Sequence, residues 1–375
     1  MISRFGKSLE AGARILRPFV LPSYRRAFAQ LLARGLLQRP ANAPIVCCDF
    51  SNPAIDSVGG RYYFSLVRDL IDAGFFPVFI AHRSTLSTFG TSALKSLLLP
   101  EALGVVQNLS EINEPYFLIT DTCVTQATQA TLAKRVVTVE YPWRLAEAPD
   151  EIEFPFFVHP WIASGSGLPH SYDPAATRST RVFFGGNTET GKYDKDVIRD
   201  TYQMLARRDM LQIAESQFSP DEIHRPQDAV TWLASPEPHL YVLCETQHCK
   251  IPQSRWLDAL AKADFFLACP GVGMPLCHNL IEALAAGSIP ILQYADYLPD
   301  PLRNGTNCLT FSDATSLRAA LDRARTMPPD EILTLRKNVL AYYQEFLAPG
   351  RFSQRLFSGS KPCKTLLLNS YRIPR

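Results

Sequence analysis

The 375-residue chain has no run of 18 or more apolar residues, so no segment of it reads as a membrane-crossing helix. It also lacks the uninterrupted apolar stretch and small-residue site of a secretory leader. Excess charge of either sign is missing too: 38 Lys and Arg face 36 Asp and Glu, a formal net of +2. That balance gives no reason to expect a nucleic-acid partner. Short-period repeats and low-complexity tracts are absent. Nine cysteines are an odd number, and Cys47, Cys48 and Cys269 sit in apolar runs, which favours a reducing, cytoplasmic setting over a disulfide framework. Cys244 and Cys249 flank His248, but no second pair stands at metal-site spacing, so no metal is expected there.

What is present is strongly patterned. Residues 1–40 carry eight Lys and Arg (Arg4, Lys7, Arg14, Arg17, Arg25, Arg26, Arg34, Arg39) against Glu10 alone, which leaves the remainder net acidic. Basic residues alternate there with Phe5, Leu9, Ile15, Leu16 and Phe19, a composition suited to an anionic membrane surface. A helix packed on the body and an organelle transit peptide are the competing readings. Short apolar runs alternating with helical periods predict βαβ units and parallel sheets from residue 44 onward. Strands are expected at Ile45 to Phe50, Pro77 to Ala81, Tyr116 to Thr120, Arg135 to Glu140 and Pro155 to His159, with helices at Arg61 to Ala73, closed by Gly74, and near Thr125 to Ala133. The Ser-, Gly- and Pro-rich stretch 164–180 reads as a linker. A second α/β pattern follows, with strands at Arg181 to Phe184, Tyr241 to Cys244, Phe265 to Ala268 and Ile289 to Leu292. Its helices are expected at Asp194 to Arg207, Ser254 to Ala263, Cys277 to Ala286 and Glu331 to Phe346. The division is therefore a basic arm (1–43), a Rossmann-like domain (44–163), the linker, a second Rossmann-like domain (181–346) and an unpatterned tail (347–375).

The most informative stretch is 263–313. A strand ends at Ala268, Cys269, Pro270, Gly271 and Gly273 form a loop, and a helix carrying Asn279 and Glu282 follows, closed by Gly287. Such a loop can seat a pyrophosphate against a helix N-terminus. The run Phe265-Phe266-Leu267-Ala268-Cys269-Pro270-Gly271, then Glu282-Ala283-Leu284-Ala285-Ala286-Gly287-Ser288-Ile289-Pro290-Ile291, then Leu298-Pro299, resembles the C-terminal domain of GT-B glycosyltransferases, most closely the exostosin-like family. Bacterial fucosyltransferases are similar over the helix and the Gly-x-Ile-Pro turn. The strand at Arg181 with Gly185 and Gly186 looks like the opening strand of the exostosin donor domain. The resemblance implies two Rossmann-like domains facing a central cleft, a nucleotide-sugar co-substrate held by the second domain, and an acidic residue at Glu282 that bonds ribose or sugar. The paired-acid pattern of retaining families is broken by Met274.

Cleaving a sugar–phosphate bond requires stabilisation of the leaving diphosphate. No Asp-x-Asp stands at a strand end to hold a metal, so basic groups near the loop are the candidates: Lys192, which follows Gly185 and Asn187, and Lys250 and Arg255 ahead of the strand at 265. Deprotonating an acceptor hydroxyl needs a carboxylate or imidazole. Asp56 and Asp49 lie at the carboxyl edge of the first domain, where ligands bind in such sheets, as do Asp121, Glu140, His82 and His159. The expected function is sugar transfer from a nucleotide sugar to a glycan or lipid-linked glycan in polysaccharide biosynthesis, without metal or other cofactor, in the cytoplasm or on a membrane's inner face. A sugar-nucleotide epimerase and an inactive scaffold are the alternatives.

Overall fold

The computed structural model describes residues 19–122, 132–141, 146–164, 172–189, 191, 197–298, 300–358 and 364–368. The chain divides into two compact units, the first running to Phe154 and resuming at Pro349, the second spanning Pro155–Ala348. Both are parallel α/β sheets of Rossmann type.

In the first unit, helix α1 (Pro22–Leu32) precedes β1 (Ile45–Asp49), α2 (Ser57–Asp72), β2 (Phe76–Ile80), β3 (Gly104–Val106), β4 (Tyr116–Thr120), β5 (Ala133–Glu140) and β6 (Glu151–Glu153). Strand β1 lies between β2 and β4, parallel to both, and its first four residues, Ile-Val-Cys-Cys, are buried. An unbroken apolar run is what a strand covered on both faces requires. Gly59 and Gly60, in the first turn of α2, take φ of +70° and +85°, a left-handed conformation that glycine adopts without a Cβ penalty. Gly74, at φ +82°, lets the chain leave α2, with Phe75 N donating back to Leu70 O at 3.0 Å. The strand expected at Pro155 to His159 is not formed. The edge strand is β6 instead, and Pro155 and Pro160, which have no N–H to give to a ladder, bracket a loop. Most of the helix expected near Thr125 to Ala133 lies outside the described residues, and Ala133 itself opens β5.

The second unit contains β7 (Thr180–Gly186), α3 (Arg207–Gln217), β8 (Ile223–His224), β9 (His239–Glu245), α4 (Trp256–Ala261), β10 (Ala263–Leu267), α5 (His278–Ala285), β11 (Ile289–Leu292), β12 (Leu309–Thr310), α6 (Ala314–Thr326) and α7 (Pro329–Tyr342). Its strand order is β12-β11-β10-β7-β9-β8, with every pairing parallel. The order reverses at β7, and in open parallel sheets the crevice at such a reversal is where ligands bind. All five residues of β10 are buried. A helix expected over Asp194 to Arg207 is corrected here: residues 192–196 lie outside the description, Val197–Thr201 make a π-turn, and Arg207 begins a helix rather than ending one.

The final described stretch, which carries no sequence pattern, forms helix α8 (Arg351–Ser358) and strand β13 (Thr365–Leu367). Strand β13 inserts between β5 and β6, completing the seven-stranded order β3-β2-β1-β4-β5-β13-β6. The chain thus returns to its first unit.

Candidate functional site

At the carboxyl edge of the second sheet, beside the reversal at β7, lies a pocket of about 290 Å³. The end of β7 supplies Gly186 and Asn187, the segment after β9 supplies Thr246, Ile251 and Gln253, and α4 supplies Trp256. Helix α5 adds His278, Asn279 and Glu282, with Cys277 just before it. Arg207 from α3 and His159 complete the polar lining. Cys277, His278 and Asn279, at the start of α5, all line the pocket, so the partial positive charge of the helix start faces it.

Two charged side chains are built into the wall rather than left on its rim. Glu282 is 1% exposed; it accepts from His159 N at 2.9 Å and from Trp256 Nε1 at 2.6 Å. Arg207 is 5% exposed and donates to Asn187 O at 2.8 Å and Pro270 O at 3.0 Å. The imidazoles of His159 and His278 meet edge-on with centroids 5.0 Å apart. A fixed guanidinium, a helix start and two imidazoles converge on one space, a set of groups suited to an anionic ligand.

The expected donor residues divide under this geometry. Asn187, Asn279 and Glu282 line the pocket. Gly185 stands behind it, where a Cβ would come within 2.6 Å of Phe183 and 2.7 Å of Trp256, so its smallness serves packing. The loop Cys269, Pro270, Gly271, Gly273 does not line the pocket. Gly271 N is taken by Pro275 O at 3.2 Å, Gly273 O accepts from Tyr202 at 3.3 Å, and burial pushes the Cys269 thiol up to about 12. The loop folds on itself, and its contribution to the pocket is indirect, through the Pro270 carbonyl that holds Arg207. Lys250 is exposed, and Arg255 pairs with Asp258 at 2.6 Å on the surface; neither lines the pocket. Lys192 lies outside the described residues. Arg207 escapes sequence reasoning because one of two adjacent arginines, Arg207 and Arg208, reads as a solvated helix-end charge, with no sign that it will begin a helix at the sheet's edge.

In the first unit, Asp56 is engaged through both oxygens, by Lys95 Nζ at 2.7 Å and Thr88 Oγ1 at 2.9 Å. Lys95 is fully buried, with its ammonium 3.8 Å from the centre of the Tyr63 ring. A buried cation demands such a partner, so Asp56 has a structural task. Asp49 instead receives His82 Nε2 at 2.5 Å and the Thr120 and Thr122 hydroxyls at 3.0 and 2.8 Å. Burial pushes Asp49 up, but the hydrogen bonds from His82, Thr122 and Thr120 outweigh it and hold the carboxyl below its ordinary value. The bond to Asp49 raises His82 in turn. Asp121 braces the loop after β1 through Ser51 N at 2.8 Å and Asn52 N at 3.0 Å, and accepts from Tyr141 at 2.7 Å.

No protein-family model matches the sequence, and no curated protein matches it significantly. Among solved structures, the chain is similar to an α-glucosyltransferase in complex with UDP and a 13-mer DNA, at 13% identity and a TM-score of 0.42, covering 85% of this chain and 100% of that one. It is also similar to the trehalose-6-phosphate synthase OtsA, at 11% identity and a TM-score of 0.41, with 84% and 98% covered. A third similar structure is Anabaena HepE in complex with UDP and glucose, at 12% identity and a TM-score of 0.38, with 84% and 98% covered.

Proposed function

We propose that this chain is a glycosyltransferase that draws on a nucleotide-activated sugar, with the donor held in the pocket of the second unit. The observation that carries this reading is the convergence of Arg207, the α5 N-terminus and the buried Glu282 at the point where the strand order reverses. The resemblance of the Phe265 to Ile291 run to GT-B donor domains supports it. In this reading the start of α5 and the Arg207 guanidinium take up the charge that develops on the departing diphosphate, in the role expected of Lys192, Lys250 or Arg255. Glu282, fixed from two sides, is the acceptor for a ribose or sugar hydroxyl. For proton transfer in the first unit we favour His82, oriented by Asp49, over Asp56, which Lys95 already engages. We further infer a glycan or lipid-linked glycan acceptor, turnover without a metal, and attachment of the N-terminal arm to an anionic membrane.

Titration calorimetry with a panel of nucleotide sugars tests the site. Glu282→Ala removes hydrogen bonds to a charged acceptor, and we expect donor affinity to fall about ten- to a hundredfold, with circular dichroism confirming the fold. Unchanged affinity would remove Glu282 from the site. Product analysis then separates the alternatives: transfer or slow donor hydrolysis supports the transferase, an epimeric sugar nucleotide an epimerase, and silence from a folded chain a scaffold.

A further inference from the structure

The amino-terminal end of the second sheet, opposite the pocket, holds a second concentration of buried charge. Arg181 Nη1, from β7, lies 3.1 Å from Asp264 Oδ2 in the adjacent β10, and Arg336 from α7 pairs with the other oxygen of the same carboxylate. Arg178 donates to Ala263 O at 2.6 Å and to Ala286 O at 3.0 Å, the latter at the end of α5. Arg336 also donates to Pro174 O and Ala176 O, each at 3.0 Å. Arg336 is 8% and Asp264 7% exposed. Two guanidiniums therefore share one carboxylate, and the third, Arg178, is held only by backbone carbonyls. The nearby acids do not redress the balance, because Asp258 pairs with Arg255 on the surface and Asp173 caps the turn at Ala175 N.

Like charges gathered out of water are costly unless a counter-charge joins them. Burial and the neighbouring Arg336 pull Arg178 down to about 9, and burial and Arg181 pull Arg336 down to about 10. Hydrogen-bond donors are left over as well: Arg178 Nε, Arg336 Nε and the Tyr172 hydroxyl are buried without an acceptor among the described residues. Buried donors are nearly always satisfied, and an unfilled set of this kind points to an ion. A tetrahedral oxyanion supplies negative charge together with several acceptor oxygens, the complement of guanidinium forks.

We propose that Arg178, Arg181 and Arg336, with Tyr172, form a binding site for a phosphate- or sulfate-class oxyanion, separate from the pocket at the sheet's carboxyl edge. Bound there, the anion neutralises the cluster and fastens the residue 172–181 segment to β10 and to the end of α5.

Inorganic phosphate and sulfate are the probes, titrated into the full chain at constant ionic strength against chloride, with binding read by calorimetry and by the melting temperature. Arg207→Gln removes a charged group of the other pocket, so phosphate taken up there is expected to be lost while binding at the Arg178, Arg181 and Arg336 cluster persists. Arg181→Gln, which leaves the Arg336 pair to Asp264 in place, is expected to bind about tenfold more weakly. Tyr172→Phe, which deletes a single hydroxyl, is expected to weaken binding severalfold and stands in if Arg181→Gln does not fold. The proposal is overturned by phosphate binding that Arg207→Gln abolishes, by Arg181→Gln and Tyr172→Phe binding as tightly as the parent, or by no effect beyond that of chloride.

Discussion

His82 and Asp49 have a pH signature set by their mutual hydrogen bond. His82 is raised above 6.5 by its bond to Asp49, so its stabilising contribution is complete below 6.5 and is lost as pH rises through the raised value. Asp49 is held below 3.8 against the opposing effect of burial, so its contribution is present above 3.8 and fails only as pH falls through the lowered value. The pair therefore stabilises most between those limits. Urea unfolding of the parent and His82→Gln should differ most near about pH 5 and converge toward about pH 9. A gap that is the same at both pH values would mean that no charged pair forms. The same two residues show what side-chain identity leaves open. As letters in a sequence Asp56 and Asp49 are both candidate proton acceptors, with Asp56, in the loop ahead of Gly59 and Gly60, the one favoured. What separates them is Lys95, 39 positions beyond Asp56, which the fold buries against one carboxylate and not the other.

At the scale of elements, α8 illustrates a segment whose structure comes from its neighbours. Its N-terminus is held by Asp69 of α2, which accepts from Gly350 N at 2.7 Å, Ser353 N at 2.7 Å and Ser353 Oγ at 2.6 Å. Gly350 is required at φ +80°, and a Cβ there would come within 2.7 Å of the Asp72 and Ala73 backbone. Asp69→Ala would strip three donors of a buried acceptor, and we expect a loss of roughly 3 to 5 kcal/mol. Hydrogen exchange should rise first in α8 and β13. Protection that stays unchanged there would show that β13 pairing alone holds the segment. The strands β1, β4, β10 and β11 were legible in sequence because both of their faces are covered, so each carries a short apolar run: 45–48, 116–119, 265–267 and 289–292. Strands β3, β8 and β12 were not, since two or three residues at a sheet edge leave no period to read.

For the whole molecule, a surface feature of the first unit bears on where the protein works. Phe19, Val20 and Leu21 are 51%, 66% and 40% exposed, and Leu37 is 89% exposed. Arg25 and Arg26 are exposed on α1 beside them. Apolar and basic groups together suit the interface of an anionic bilayer. We expect the chain to sediment with anionic vesicles at low salt, to be released by high salt, and to lose binding when Phe19, Val20 and Leu21 are all changed to Ser. Equal binding to zwitterionic vesicles would rule out the electrostatic part of this attachment.

The fold class was written in the sequence, because an apolar run, a turn and a helical period are local, and their alternation leaves a parallel α/β sheet as the arrangement that covers every apolar face. The position of the pocket was half legible: Asn187, Asn279 and Glu282 lie within recognisable strand ends and a helix start. Only the tertiary structure decided the rest. The loop at Gly271 spends its amide on Pro275, Arg207 reaches the pocket by starting a helix 20 residues after Asn187, and β13 crosses back to the first sheet. Each of these depends on which distant groups compete for the same hydrogen bond or the same buried volume, and that competition is settled only when the chain has folded.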